Sequence, residues 1–196
     1  MNRSGSAPDA LALLKQDHRN VEALFARFEG LGPRASKTRR SVVDKIIEAL
    51  AVHAAIEEQV FYPAVRQAVP KVDDEILEAL EEHHIVKWTL SELEGLSPDD
   101  ERFTAKVTVL LESVRHHVRE EERKLFPQVR KGLDSATLRD LGEQLREAKL
   151  VAPTRPHPRS ADTPPGNIVA AALTAPLDAA ASVAEAAAGR VRDLVT

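Results

Sequence analysis

Residues 53–63, HAAIEEQVFYP, return 64 positions later as HVREEERKLFP at 117–127, with His53 on His117, Glu57 on Glu121 and Pro63 on Pro127. In each copy the His and the Glu are four residues apart, so on a helix both project from one face a single turn apart. The same offset lays Val43 on Val107, Ile46 on Leu110 and Leu50 on Val114. Raising the offset to 65, for one residue lost in a loop, lays His18 on His83, Val21 on Val86, Phe28 on Leu93, Gly30 on Gly95 and Pro33 on Pro98. Two helical hairpins of one pattern, with connections short enough to make neighbours antiparallel, predict an all-α fold: an antiparallel four-helix bundle about an approximate twofold axis.

The periodicity outlines the elements. Leu11, Leu14, Val21, Phe25 and Phe28 form a seam from Asp9 to Gly30, with His18 filling its gap. A second helix from about Ser36 carries Val43, Ile46, Leu50, His53 and Glu57; it should bend or end near Pro63, with Pro70 a firm stop. A third carries Ile76, Ala79, His83, Val86, Leu90 and Leu93, and closes at Gly95. A fourth carries Phe103, Val107, Leu110, Val114, His117 and Glu121, bends near Pro127 and ends by Gly132. A short fifth helix is predicted at about 135–149.

Residues 1–150 are therefore read as the bundle. Residues 151–166 form a proline-rich linker, with five prolines among the thirteen residues from Pro153 to Pro165. The alanine-rich segment 167–196 reads as a helix, broken at Pro176, that docks on the bundle or on a second subunit.

Composition narrows the function. Of 196 residues 30% are charged, and the aromatics are five Phe, one Trp and one Tyr, a balance of long amphipathic helices rather than sheets. A net charge of −4 offers no positive field for nucleic acid. No cysteine is present, so any metal must be held by nitrogen and oxygen. Neither a signal peptide nor a membrane-length apolar run is visible, and a cytoplasmic protein is expected.

The anomaly is that His18, His53, Glu57, His83, His117 and Glu121 all occupy seam places where Leu or Val belongs. Core histidines hydrogen-bonded to buried carboxylates would explain one such pair. Six ionisable groups at matching depth in four helices would cost an amount comparable with the ~5–15 kcal/mol stability of a whole domain. A pair of metal ions removes that cost. Two His for each ion, with each Glu bridging both and an oxo or hydroxo group from solvent, gives five ligands apiece and one open position. Nitrogen and oxygen donors with open positions suit iron best and manganese next, while zinc is satisfied by four ligands and has no redox chemistry.

These residues resemble the hemerythrin HHE cation-binding family, with its His…HisxxxGlu…His…HisxxxGlu pattern, from residue 9 to about 132. The strings that carry the resemblance are DHRNVEALF around His18, HAAIEEQVFYP from His53, EEHHIVKW around His83 and HHVREEERKLFP from His116. The resemblance implies a non-haem di-iron site that binds dioxygen, nitric oxide or peroxide. The oxygen carriers of that family have a further histidine one turn after the third-helix ligand, where this chain has Lys87. Without it the two irons are expected to be nearly equivalent and open, which favours two-electron peroxide chemistry over reversible carriage.

Around the six, His84 and His116 sit one position off the seam, and Glu22 shares the face of His18. With Tyr62, which is five after Glu57 and expected to point off the seam, these are the candidates for residues adjoining the ligands. Glu58 and Glu122 are expected at the solvated edge or in links to Arg and Lys. Two functions compete: an oxidant-reactive protein with catalase-like activity in oxidative or nitrosative stress, and an oxygen, nitric oxide or iron sensor read by a partner through the C-terminal segment.

Overall fold

A computed structural model describes residues 8–159. The predicted helix over 167–196 lies outside the described residues, as do residues 160–166 of the linker.

Helix α1 (Ala10–Glu29) starts on Asp9, whose carboxylate accepts the Ala12 N–H at 2.9 Å, and ends at Gly30. After a short turn α2 (Ser36–Ile56) runs back beside it. The chain then makes a π-helical turn, Glu57–Phe61, and continues as α3 (Tyr62–Ala68). A 3₁₀ turn, Pro70–Val72, leads into α4 (Asp73–Glu94), and α5 (Phe103–Glu120) returns against it. A second π-helical turn, Glu121–Leu125, precedes α6 (Phe126–Gly132). Helix α7 (Ser135–Val151), capped by Asp134, closes the order. Among the described residues there is no strand, and no helix is long and apolar enough to cross a membrane.

The expected bends at Pro63 and Pro127 are resolved by the two π-helical turns. Proline has no N–H, and its ring would press on the carbonyl four residues back. In both hairpins the hydrogen-bond ladder shifts by one residue immediately before the proline: the Tyr62 N–H reaches the Glu57 carbonyl, and the Phe126 N–H that of Glu121. The helix thereby continues, and each π-helical turn begins at a seam glutamate.

The apolar residues form two clusters rather than one. The first joins Leu14, Ile56, Phe61, Tyr62, Val65, Ile76, Phe126, Val129 and the α7 residues Leu138, Leu141 and Leu145. The second joins Val21, Phe25, Phe28, Ile46, Leu50, Leu90, Phe103, Leu110 and Val114. In sequence, His18 falls between Leu14 and Val21, and His53 between Leu50 and Ile56, so the polar seam is a layer between the two clusters.

Helix α7 belongs to the first half of the repeat: it packs on α1, α2 and the turn Glu57–Phe61. At the closest approach a Cβ on Gly142 would stand 2.8 Å from the Pro8 carbonyl oxygen and 2.9 Å from the Ala10 nitrogen, so only glycine fits. Beyond α7, Pro153 and Pro156 are buried, and Arg155 Nη1 lies 3.5 Å from Glu94 Oε1. The first residues of the expected linker are thus seated on the bundle.

Candidate metal centre

The six seam residues converge. All are buried, Glu57 completely. His53 Nε2 lies 3.2 Å and His83 Nε2 3.5 Å from Glu57 Oε2. His18 Nε2 lies 3.3 Å and His117 Nε2 3.7 Å from Glu121 Oε2. His83 Nε2 and His117 Nε2 are 3.2 Å apart. Donor atoms from His18, His53, Glu57 and Glu121 all lie within 4.8 Å of one another, and so do those from Glu57, His83 and His117. The centre therefore has two lobes, with two imidazoles each, that share Glu57.

The outer nitrogens explain why every Nε2 faces inward. His18 Nδ1 bonds Glu122 at 2.8 Å, His83 Nδ1 bonds Glu58 at 3.1 Å, and His117 Nδ1 bonds Glu82 at 2.8 Å. Asp17 stands 3.9 Å from His53 Nδ1, with Lys149 on its other oxygen. A carboxylate that accepts the Nδ1–H fixes the tautomer and leaves the Nε2 lone pair free for the interior. Asp17 and Glu82 did not stand out from the sequence; Glu58, expected at the solvated edge or in a link to Arg or Lys, is buried and linked to Lys87. The repeat carried the signal: offset 65 lays Asp17 on Glu82, and offset 64 lays Glu58 on Glu122.

The two lobes differ in their surroundings. Lys87 is buried, and its ammonium holds Glu58 through both oxygens at 2.9 and 3.0 Å, whereas the matching Glu122 side chain is 34% exposed. Tyr62 is fully buried and donates its O–H to Glu121 Oε1 at 2.9 Å, contrary to its expected place off the seam. In a π-helical turn the residue five places on, not four, comes back onto the same face, and this brings Tyr62 onto the face of Glu57. The matching Phe126 has no hydroxyl and stacks on His18 at 5.9 Å, as Tyr62 lies against His83 at 5.6 Å.

The other candidates are elsewhere. Glu22 pairs with Arg115 at the surface, His84 accepts the Trp88 indole N–H at 3.1 Å, and the His116 side chain is 55% exposed, 3.7 Å from Glu82.

Burial pushes His53 down to about 4 and holds His83 below its ordinary value, keeping both imidazoles neutral. Burial acts the same way on His18, but Glu121 and Glu122 outweigh it and raise its pKa. Glu57 is raised by burial and by the charge of Glu121. Glu121 is itself held low, against burial, by His117, His18 and His53.

His18 Nε2, both ring nitrogens of His53, both oxygens of Glu57 and Glu121 Oε2 are buried with no hydrogen-bond partner. Each such atom costs about 1–3 kcal/mol. All but His53 Nδ1 are donors from which a hard or borderline cation takes a lone pair, so the residues fit the metal that their pattern implies. On the side of the second cluster, the four imidazoles and Val21, Leu50, Val86 and Val114 line a cavity of about 20 Å³, room for a molecule of one or two heavy atoms.

Residues 9–129 match the family model described as the hemerythrin HHE cation binding domain. An uncharacterized hemerythrin-like protein of Schizosaccharomyces pombe is 26% identical over 83% of this chain and 80% of its own length. A protein of Nostoc described as a DNA nickase is 28% identical over 70% of this chain, which spans 38% of that protein. The crystal structure of a hemerythrin HHE cation binding domain-containing protein from Mycobacterium kansasii superposes with a TM-score of 0.63, at 24% identity, over 73% of this chain and 86% of the other.

Proposed function

This chain belongs to the hemerythrin HHE cation binding domain family, and from that premise we propose that it carries two non-haem irons and consumes small oxidants, hydrogen peroxide first among them. His18, His53, Glu57 and Glu121 would hold a cation in one lobe, and His83, His117 and the shared Glu57 would hold one in the other. The observation that carries this reading is the set of unpartnered lone pairs on His18, His53, Glu57 and Glu121, which no protein donor satisfies. When bound, such a pair of ions supplies the two-electron redox capacity that peroxide, dioxygen or nitric oxide chemistry requires.

The chain's own residues set the conditions. Glu122, Glu58 and Glu82 fix the imidazoles of His18, His83 and His117 with Nε2 inward, and Asp17 faces His53 Nδ1 at 3.9 Å. Tyr62 donates a hydrogen bond to one oxygen of Glu121 and so restricts that carboxylate's rotation. Val21, Val86, Val114 and Leu50 give the small cavity beside the imidazoles an apolar wall. Lys87 directs its ammonium to Glu58, so the place one turn after His83 adds no imidazole to the centre.

The test is metal analysis, an optical spectrum and a peroxide assay on the purified chain. Two irons per chain, charge-transfer bands near the ultraviolet edge that shift with azide, and oxygen evolution from peroxide are expected. A protein that ignores peroxide and binds and releases dioxygen through many cycles without oxidising would overturn the reading in favour of carriage or sensing.

A further inference from the structure

The approximate twofold repeat is broken at one place that bears on access to the centre. Between α4 and α5 a cleft of about 40 Å³ descends from the surface past Glu75, Glu78, Glu82 and Glu120 to a floor formed by Glu121 and His117. The repeat places Ala10, Leu13, Asp17 and Ile56 at the positions of those four glutamates. There the wall is sealed: Ala10, Leu13 and Ile56 are buried in one cluster with Leu138, Leu141 and Leu145 of α7, and Lys149 neutralises Asp17. One half of the bundle is greasy and covered, while the same face of the other half is acidic and open.

We infer that the α4–α5 cleft is the entrance through which divalent cations reach the centre. This rests on the centre being a metal site. Four carboxylates against one ammonium, that of Lys124, raise the local cation concentration at the mouth. At the floor Glu121 Oε2 is buried and unpartnered, so an arriving ion meets a free lone pair after the outer glutamates have replaced part of its hydration shell. Glu82 continues the path, with one oxygen on His117 Nδ1 and its side chain 25% exposed. A larger opening of about 240 Å³ between α1 and α5 reaches His18, but there Arg19, Arg115 and Arg119 outnumber Glu22 and Glu122, so it lacks the acidic excess of the α4–α5 cleft.

The probe is ferrous iron under argon, added to the metal-stripped full-length chain, with free iron trapped by a chelator at timed intervals and helicity checked by circular dichroism. Where stripping lowers helicity, the same comparison is made by exchange of isotopically enriched ferrous iron into loaded protein. The combined variant Glu75→Gln, Glu78→Gln, Glu120→Gln should take up iron about tenfold more slowly while reaching wild-type stoichiometry and spectrum. Raised ionic strength should slow wild type towards the variant. Asp140→Asn, Glu143→Gln and Glu147→Gln, the same charge change on the exposed face of α7, should leave the rate unchanged. Equal rates in wild type and the cleft variant, or equal slowing by the α7 control, would overturn the entrance. A wild-type chain that takes up no iron would overturn the metal centre itself, and the entrance with it.

Discussion

Replacing Lys87 by Met tests whether the two lobes are electrostatically unequal. The Lys87 and Glu58 side chains are 10% and 5% exposed, with the ammonium 2.9 Å from the nearer carboxylate oxygen. Methionine keeps the length and apolar stem of the lysine but removes the charge, leaving Glu58 buried without its cation. Removing one member of a buried pair costs about 3–5 kcal/mol, most of it the uncompensated partner. For a domain of this size that is a fall in Tm of about 6–20 °C. The matching change on the other lobe, Glu122→Gln, acts on a side chain that is 34% exposed and should cost about 1 kcal/mol or less. The double variant Lys87→Met, Glu58→Gln should recover much of the loss, because the charge and its partner leave together. Thermal and urea unfolding of these proteins and of the single variant Glu58→Gln, loaded with iron to equal stoichiometry, measures the coupling. A loss below about 1 kcal/mol in Lys87→Met would refute the argument, since Glu58 would then be solvated or neutralised without Lys87.

His53→Ala or His117→Ala should lose about half or more of the bound metal and lower Tm, because binding is coupled to folding, while His84→Ala and His116→Ala should keep it; elemental analysis distinguishes the two pairs. Gly142→Ala should cost about 1–3 kcal/mol in urea unfolding, because the new methyl meets backbone of Pro8 and Ala10 that cannot step aside. In the metal-stripped chain His53 binds its proton only at about 4 when folded but at about 6.5 when unfolded, so it contributes stability above pH 6.5 that is lost as pH falls towards 4. His18 opposes this, and the difference between wild type and His53→Leu across that window isolates the effect. Ending the chain after residue 152 should lower Tm relative to ending it after residue 159, by removing the buried Pro153 and Pro156.

The helices and the six converging side chains were legible because histidine and glutamate stood at seam places otherwise held by Leu and Val, twice over. The outer carboxylates were not. Asp17, Glu58, Glu82 and Glu122 adjoin ionised or polar neighbours in the chain, and a charged run has the pattern of a solvated face; only their agreement under the repeat sets them apart. Tyr62 was misplaced for a different reason. A rotation of about 100° per residue carries the position five after Glu57 off the seam, but the π-helical turn at Glu57–Phe61 consumes one more residue and restores it. Burial of Glu58 could not be read either, because it depends on Lys87 arriving from α4.

The two apolar clusters bear on how the molecule opens. Neither one crosses the layer of histidines and glutamates on its own; without cations that layer is held by mismatched lone pairs, and on the proposed function cations in both lobes would tie all four long helices together. Native-state amide exchange should therefore show two blocks of protection in the stripped chain, one around Phe61, Phe126 and α7 and one around Phe28, Phe103 and Leu110, separating at different denaturant concentrations. Iron should merge them into one cooperative unit, making the degree of cooperativity itself a reporter of occupancy.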